Sequence, residues 1–255
     1  MINIYASIEE ARVTGKKAAL CIIVDSKGSA PQKQGAKMIV YEDGPIKGTV
    51  GGGKLEMLVI QDAQAAIRSL KPVKRIYDLA RDLDTSCGGA TEIYIEPVVP
   101  ALKLYIFGSG HVGQAVARYA PDFDFQVTLF DSREIPVKTD RNVNLDFIGK
   151  EYIDSIEDVF FDTNTYIIIA THTHASDEKL LSILAGKQSA YLGMIGSKSK
   201  IAQARKNLLE KNILSENELN RVDMPIGLPF KAVSPQEIAV SILAKMIDVK
   251  NTMIL

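Results

Sequence analysis

Tryptophan is absent from this 255-residue chain, cysteine occurs twice and histidine three times. Two cysteines without a C-x-x-C pair exclude a disulfide framework and a zinc knuckle, and they fit a reducing compartment. No apolar run is long enough to span a bilayer. An excess of one charge is also missing. The 30 Lys and Arg against 31 Asp and Glu leave a formal net charge of −1, so no global basic field draws in nucleic acid or a membrane surface. The opening residues, MINIYASIEEAR, lack the charged start and apolar middle of a secretory signal, and a cytoplasmic protein is expected. No internal repeat, low-complexity tract or G-x-S-x-G nucleophile elbow occurs, which argues against a Ser-His-Asp hydrolase. What remains is 46% hydrophobic and 24% charged, the balance of a globular protein with a real core.

Two domains are expected, 1–99 and 100–255, because the proline-rich EPVVP at 96–100 is the best boundary. Before it, residues 17–25, 36–41, 73–79 and 91–97 read as strands, and 54–70 as a half-buried helix. After it, strands and helices alternate. TYIIIAT (165–171) and YLGMIG (191–196) are runs suited to strands buried on both faces. A polar helix is expected from about Ser197 to Asn212. Ser234-Pro235-Gln236-Glu237 is a capping box with proline at the first helical position. It opens a last helix whose apolar residues, Ile238, Val240, Ile242, Leu243 and Ile247, suggest a surface buried against a second copy. The expected fold class is α/β: an N-terminal α+β domain and a C-terminal Rossmann-like domain with a mostly parallel sheet.

The strongest chemical signal is LYIFGSGHVGQAVARYA followed by FQVTLFDSRE. It reads as strand, glycine turn, helix and second strand ending in an acid. Gly108, Gly110 and Gly113 have G-x-G-x-x-G spacing, enclosing Ser109 and His111. Asp131 stands where a ribose-binding acid belongs, with Arg133 two residues on, able to meet a phosphate. The helix N-terminus offers free N–H groups and a positive dipole end to an anion. A phosphorylated, nucleotide-like ligand is the expectation.

A second glycine cluster, GTVGGGKLE, places Gly51, Gly52 and Gly53 directly before a helix. It is either a tight turn or a second anion-receptive helix start; Glu56 in its first turn either caps the helix or meets a ligand. Cys21, in ALCIIV, reads as a buried apolar filler. Cys87, in TSCGGA, reads either as a reactive, metal-contacting thiol or as a passive turn residue. His111, His172 and His174 fall at strand ends, where such sheets place ligands, but no carboxylate or cysteine stands beside them to complete a zinc site.

Together these pieces resemble the xanthine dehydrogenase accessory proteins of the XdhC/CoxI type. The matching segments, in the family's order, are GSAPQKQGAKMIV (28–40), GTVGGGKLE (48–56), SCGGATEIYIEP (86–97), LYIFGSGHVG (104–113), VTLFDSRE (127–134), THTHASDEKLL (171–181), YLGMIGSKSK (191–200), MPIGL (224–228) and SPQEIAVSI (234–242). Gln32 stands where the family commonly has arginine, and Lys231 and Lys245 interrupt its usual wording near the final helix. The resemblance implies a cytoplasmic maturation factor for molybdenum hydroxylases. Such a factor binds molybdenum cofactor, assists its sulfuration and helps deliver it to the apoenzyme, with a cysteine desulfurase as a further partner. Cys87 would then lie near molybdenum, which favours soft sulfur donors. The alternative is an NAD(P)-dependent oxidoreductase using the same glycine loop and Asp131, with His172 or His174 as acid–base group. A third reading is a regulatory module that senses a nucleotide.

Overall fold

The computed structural model describes residues 3–28, 31–78, 89–133 and 145–254. The chain divides into two compact units, Met1–Pro100 and Ala101–Leu255. No helix among the described residues is long and apolar enough to cross a membrane.

The first unit runs α1 (Ile4–Thr14), β1 (Ala18–Gly28), β2 (Lys37–Tyr41), β3 (Ile46–Gly48), α2 (Gly53–Ser69), β4 (Val73–Asp78) and β5 (Gly89–Val98). Its strands form one antiparallel sheet in the order β3-β2-β1-β5-β4. β1 is central and buried on both faces, which is why ALCII is continuously apolar. Ala19, Cys21 and Ile23 face α2 and its Leu55, Val59 and Ala63. Ala18 and Leu20 face the opposite way, towards Ile4 and Ala11 of α1. The strands and the helix expected from sequence are present. α1 and β3 are additional; α1 is closed by an Asn3 N-cap and by Gly15 in the left-handed region.

The second unit begins with β6 (Leu102–Phe107), α3 (His111–Tyr119), β7 (Phe125–Phe130), β8 (Leu145–Ile148) and α4 (Tyr152–Ile156). It continues with β9 (Thr165–Ile169), α5 (His174–Leu184), β10 (Tyr191–Met194), α6 (Lys198–Glu210), α7 (Glu216–Leu219) and α8 (Pro235–Ile254). All five strands are parallel, in the order β10-β9-β6-β7-β8. The α/β expectation therefore holds, with a Rossmann-like parallel sheet following an antiparallel one. Alternate residues of β6 serve two cores. Tyr105 and Phe107 pack with α4, α5 and α6, whereas Leu104 and Ile106 pack with α3 and α8. The expected capping box forms at α8: the Ser234 N–H donates to Glu237 Oε2 at 3.0 Å, and the Glu237 N–H donates to Ser234 Oγ at 3.2 Å. The stripe on α8 turns largely inward. Ile242 and Leu243 are buried against the sheet side, and Val240 is left outside.

Cys21 is the buried filler its sequence suggested. Burial, reinforced by the nearby Asp62 carboxylate, pushes its thiol up to about 12. Cys21→Ser places a hydroxyl in this apolar site, and a loss of about 1–3 kcal/mol is expected from the buried polar group. Urea unfolding measures it; a stability equal to that of the parent would contradict the packing described.

Candidate functional site

The chain leaves β6 to build β7 and β8 on one side of the sheet, then crosses to build β9 and β10 on the other. β6 and β9 are thus neighbours whose outgoing loops diverge. This switch point is where open parallel sheets form a ligand crevice beyond the strand ends. One wall is Gly108–Gly110 leading into α3. The other is Thr171–Thr173 leading into α5.

The glycines of the first wall do different work. Gly108 has φ +119°, and a Cβ there would lie 2.1 Å from the Ala170 carbonyl oxygen of the opposite loop. A Cβ on Gly113 would lie 2.0 Å from the Gly108 carbonyl oxygen. Both positions need glycine for packing. Gly110 is different: a Cβ there meets nothing within 4 Å. Gly110 is also the N-cap of α3, and no side chain caps the helix. The first turn of α3 keeps its N–H groups turned towards the crevice mouth, with His111 exposed beside them.

Asp131, just past β7, is fully buried. Its Oδ2 accepts the Ser109 N–H at 2.8 Å, the Ser109 hydroxyl at 2.9 Å and Arg133 Nη2 at 2.8 Å. Its Oδ1 accepts the Arg133 N–H at 3.1 Å and Nε at 2.8 Å. Burial by itself raises the carboxyl; the hydrogen bonds from Arg133 and Ser109 outweigh it and hold the group well below the usual carboxylate range. The acid is therefore committed to the glycine loop and to Arg133. A ribose diol would reach it only by displacing that guanidinium.

The second wall is pinned the same way. Asp177, buried in the first turn of α5, accepts the Thr171 N–H at 3.0 Å and the Thr171 hydroxyl at 2.6 Å. Burial dominates here and raises this carboxyl, although Thr171 and the charges of His174 and Lys200 oppose it. His172 and His174 are exposed. No cluster of three or more His, Cys, Asp or Glu side chains that would hold a metal occurs among the described residues. Asp177 escaped the sequence reading, although an acid in the first turn after a buried strand was a usable signal.

In the first unit, Gly51, Gly52 and Gly53 all have positive φ and lead into α2. Glu56 turns back onto them. Its Oε1 accepts the Gly52 N–H at 2.9 Å, the Val50 N–H at 3.2 Å and a short hydrogen bond from the Thr49 hydroxyl. Burial raises this carboxyl, and those donors together hold it below the usual range. Glu56 thus takes the capping role. Cys87 lies outside the described residues.

Two family models match this chain. The model for the XdhC Rossmann domain covers residues 104–246, and that for the XdhC and CoxI family covers 11–78. The chain belongs to the XdhC/CoxI family. Among curated relatives, YqeB of Escherichia coli (strain K12) is 30% identical over 260 residues, covering 98% of this chain and 47% of the relative. A probable xanthine dehydrogenase subunit of Bacillus subtilis (strain 168) is 26% identical over 162 residues, 63% of this chain and 47% of the relative. The chain thus spans about half the length of each of these two proteins. The molybdenum cofactor insertion chaperone PaoD of Escherichia coli (strain K12) is 25% identical over 280 residues, 94% of this chain and 86% of PaoD. A crystal structure described as a xanthine dehydrogenase from Bacillus halodurans shares the fold, with a TM-score of 0.51 at 20% identity, covering 98% of this chain and 96% of that one.

The lowered Asp131 carboxyl gives this XdhC-family site a pH signature. A carboxyl depressed in the folded state contributes stability that is complete above the unfolded value of about 3.9 and is lost as pH falls below it. Asp131→Asn should therefore be less stable than the parent at neutral pH, and the gap should narrow as pH drops from about 4 towards about 2. Urea midpoints across that range measure it; a gap independent of pH would refute the assignment.

Proposed function

We propose that this chain is a maturation factor for a molybdenum hydroxylase of the xanthine dehydrogenase type. It binds molybdenum cofactor, assists its sulfuration and helps insert it into the apoenzyme, acting in the cytoplasm as a carrier and not as a catalyst. The observation that carries this reading is membership of the XdhC/CoxI family, with a relative named as a molybdenum cofactor insertion chaperone aligned along 94% of the chain.

The chemistry of the donor set supports it. Molybdopterin ends in a phosphate, and α3 offers an N-terminus without a side-chain cap, flanked by Ser109, Gly110 and His111, with open space over Gly110. Arg133 adds a guanidinium beside the same loop. Gly51, Gly52 and Gly53 let a ligand approach the backbone of the first unit. Cys87, outside the described residues, is the soft sulfur donor that the sequence offers. When bound, the cofactor supplies the molybdenum centre that the client enzyme uses. A cysteine desulfurase is a fitting partner for the sulfuration step. The oxidoreductase alternative draws less support, because both Asp131 oxygens are already committed to Ser109 and Arg133.

Cofactor carried through gel filtration, quantified as molybdenum, tests the reading. Gly110→Leu should stay folded and hold the cofactor about tenfold less well or worse, since only the approach to the α3 N–H groups changes. Cys87→Ser should stay folded and also weaken retention. A parent protein that carries no molybdenum yet binds NAD(H) would overturn the carrier reading in favour of the oxidoreductase. Equal retention by all three proteins would remove both residues from cofactor binding.

We also propose a homodimer. Val240 is 54% exposed and borders an apolar groove of about 390 Å³ formed with Tyr119, Phe123, Leu243 and Ile247. A second copy would cover it. Light scattering at micromolar concentration should give twice the chain mass, and a monomer mass would end the idea.

A further inference from the structure

The second unit holds a cavity of about 390 Å³ at the amino end of its parallel sheet, opposite the strand ends that lead to Gly110 and Thr171. Lys187, Gln188 and Ser189 reach it from the connection between α5 and β10, and Arg221 from the chain after α7. Ala190, Leu192 and Val222 supply apolar lining. Backbone hydrogen bonds fix both segments. The Ala190 N–H donates to the Thr165 carbonyl at 2.8 Å, and the Lys187 N–H to the Leu184 carbonyl at 3.0 Å. The Arg221 N–H donates to the Glu218 carbonyl at 3.2 Å, and the Asp223 N–H to the Leu192 carbonyl at 2.9 Å. The cavity is thus shaped by the folded backbone.

The charges around it are unevenly engaged. Glu216 accepts Arg205 Nη2 at 2.8 Å. Glu218, which lines the cavity, accepts the Ser215 N–H at 2.7 Å and the Ser215 hydroxyl at 2.6 Å on Oε2. Asp223 Oδ2 accepts the Gly227 N–H at 2.8 Å and the Tyr191 hydroxyl. These acids have their donors, whereas the two cations of the cavity have no such acceptor. Lys187 and Arg221 are exposed, and neither forms an ion pair among the described residues. Arg221 exerts the least of the influences on Glu218. Lys187 lies 5.7 Å from the Phe161 ring centroid, a contact that takes none of its three N–H donors to an acceptor atom. The Gln188 and Ser189 side chains also make no hydrogen bond among the described residues. Two cations and two neutral polar side chains therefore share one cavity without a bonded acceptor from the chain.

We propose that this cavity is a second binding site, for a small organic acid. A carboxylate meets the Arg221 fork and the Lys187 ammonium, and the carbon skeleton covers Ala190, Leu192 and Val222. The unengaged cations select an anion. The apolar lining favours an anion with a carbon skeleton over bare sulfate or phosphate. The volume lies near the lower end of the roughly 300–1,000 Å³ common to ligand sites, which suits a molecule of a few carbons better than a nucleotide. Because the cations stand on different segments, a dicarboxylate engages both at once. The site lies at the other end of the sheet from the glycine loop, so the inference does not depend on what the crevice binds.

Calorimetric titration of the full chain at low ionic strength with glutarate, citrate and inorganic sulfate tests this. The proteins are the parent, Arg221→Gln, Lys187→Gln and Gly110→Leu, each with a melting curve without ligand. The parent should bind glutarate or citrate saturably below roughly 10 mM, and more tightly than sulfate. Arg221→Gln and Lys187→Gln should melt close to the parent, because both side chains are exposed and unpaired. Each should bind the acid about tenfold more weakly, the worth of one hydrogen bond to a charged group. Gly110→Leu should bind it as the parent does. A parent that binds neither acid would overturn the proposal. Sulfate bound as tightly as the acids would also overturn it, by showing that no carbon skeleton is recognised. Unchanged affinity in Arg221→Gln or Lys187→Gln would remove the acid from this cavity. Binding lost only in Gly110→Leu would move the acid to the crevice, defeating this inference while leaving the carrier reading in place.

Discussion

A carboxylate with no solvent contact has to be met by donors from the protein, and Asp131 is where this chain solves that requirement. The solution determines the crevice. Because Ser109 supplies both a backbone and a hydroxyl donor, the glycine loop after β6 is tied to the end of β7. Because Gly108 lies against the Ala170 carbonyl, the same loop is also registered against the strand next door. Asp177 then fixes Thr171 on the far wall. Both walls are thereby held in place by buried acids of the chain itself.

The sequence announced the scaffold more clearly than the way its parts connect. The runs around Leu104–Phe107 and Tyr166–Ile169 are apolar throughout because alternate residues enter cores on opposite faces, a pattern visible in one dimension. The G-x-G-x-x-G spacing and the Ser234–Glu237 box are local, and local signals survive without a structure. Asp131 was legible as an acid at the right distance, but its engagement by Ser109 joins residues 22 apart in sequence. α1 escaped for a milder reason: its buried face is narrow, with only Ile4, Ser7 and Ala11 buried.

The two glycine-rich helix starts look alike in sequence and differ in structure. α2 folds its own Glu56 back onto the N–H groups of Val50 and Gly52, so its loop is already supplied with a negative charge. α3 has no acid in its first turn and no capping side chain. A helix dipole that the chain leaves uncompensated is the better receiver for an external anion. Of the two starts, the α3 N-terminus is therefore the one whose dipole no acid of its own first turn offsets, and the first-unit loop is a turn closed by its own glutamate.

Net charge obscures this. At −1 overall the chain has no basic field, yet the charges at the carboxyl end of the parallel sheet are sorted by depth. Two acids there, Asp131 and Asp177, are buried and bonded. The cationic side chains stand outward. Arg133 is partly exposed, and Lys198 and Lys200 are exposed in a first helical turn that contains no acid. Two lysines at a helix start oppose the macrodipole and weaken α6 slightly unless an anion lies nearby. Burying these negative charges and exposing these positive ones gives the described strand ends an outward positive charge in a nearly neutral protein. Asp131 holds both the shape of those ends and, through Arg133, part of their charge.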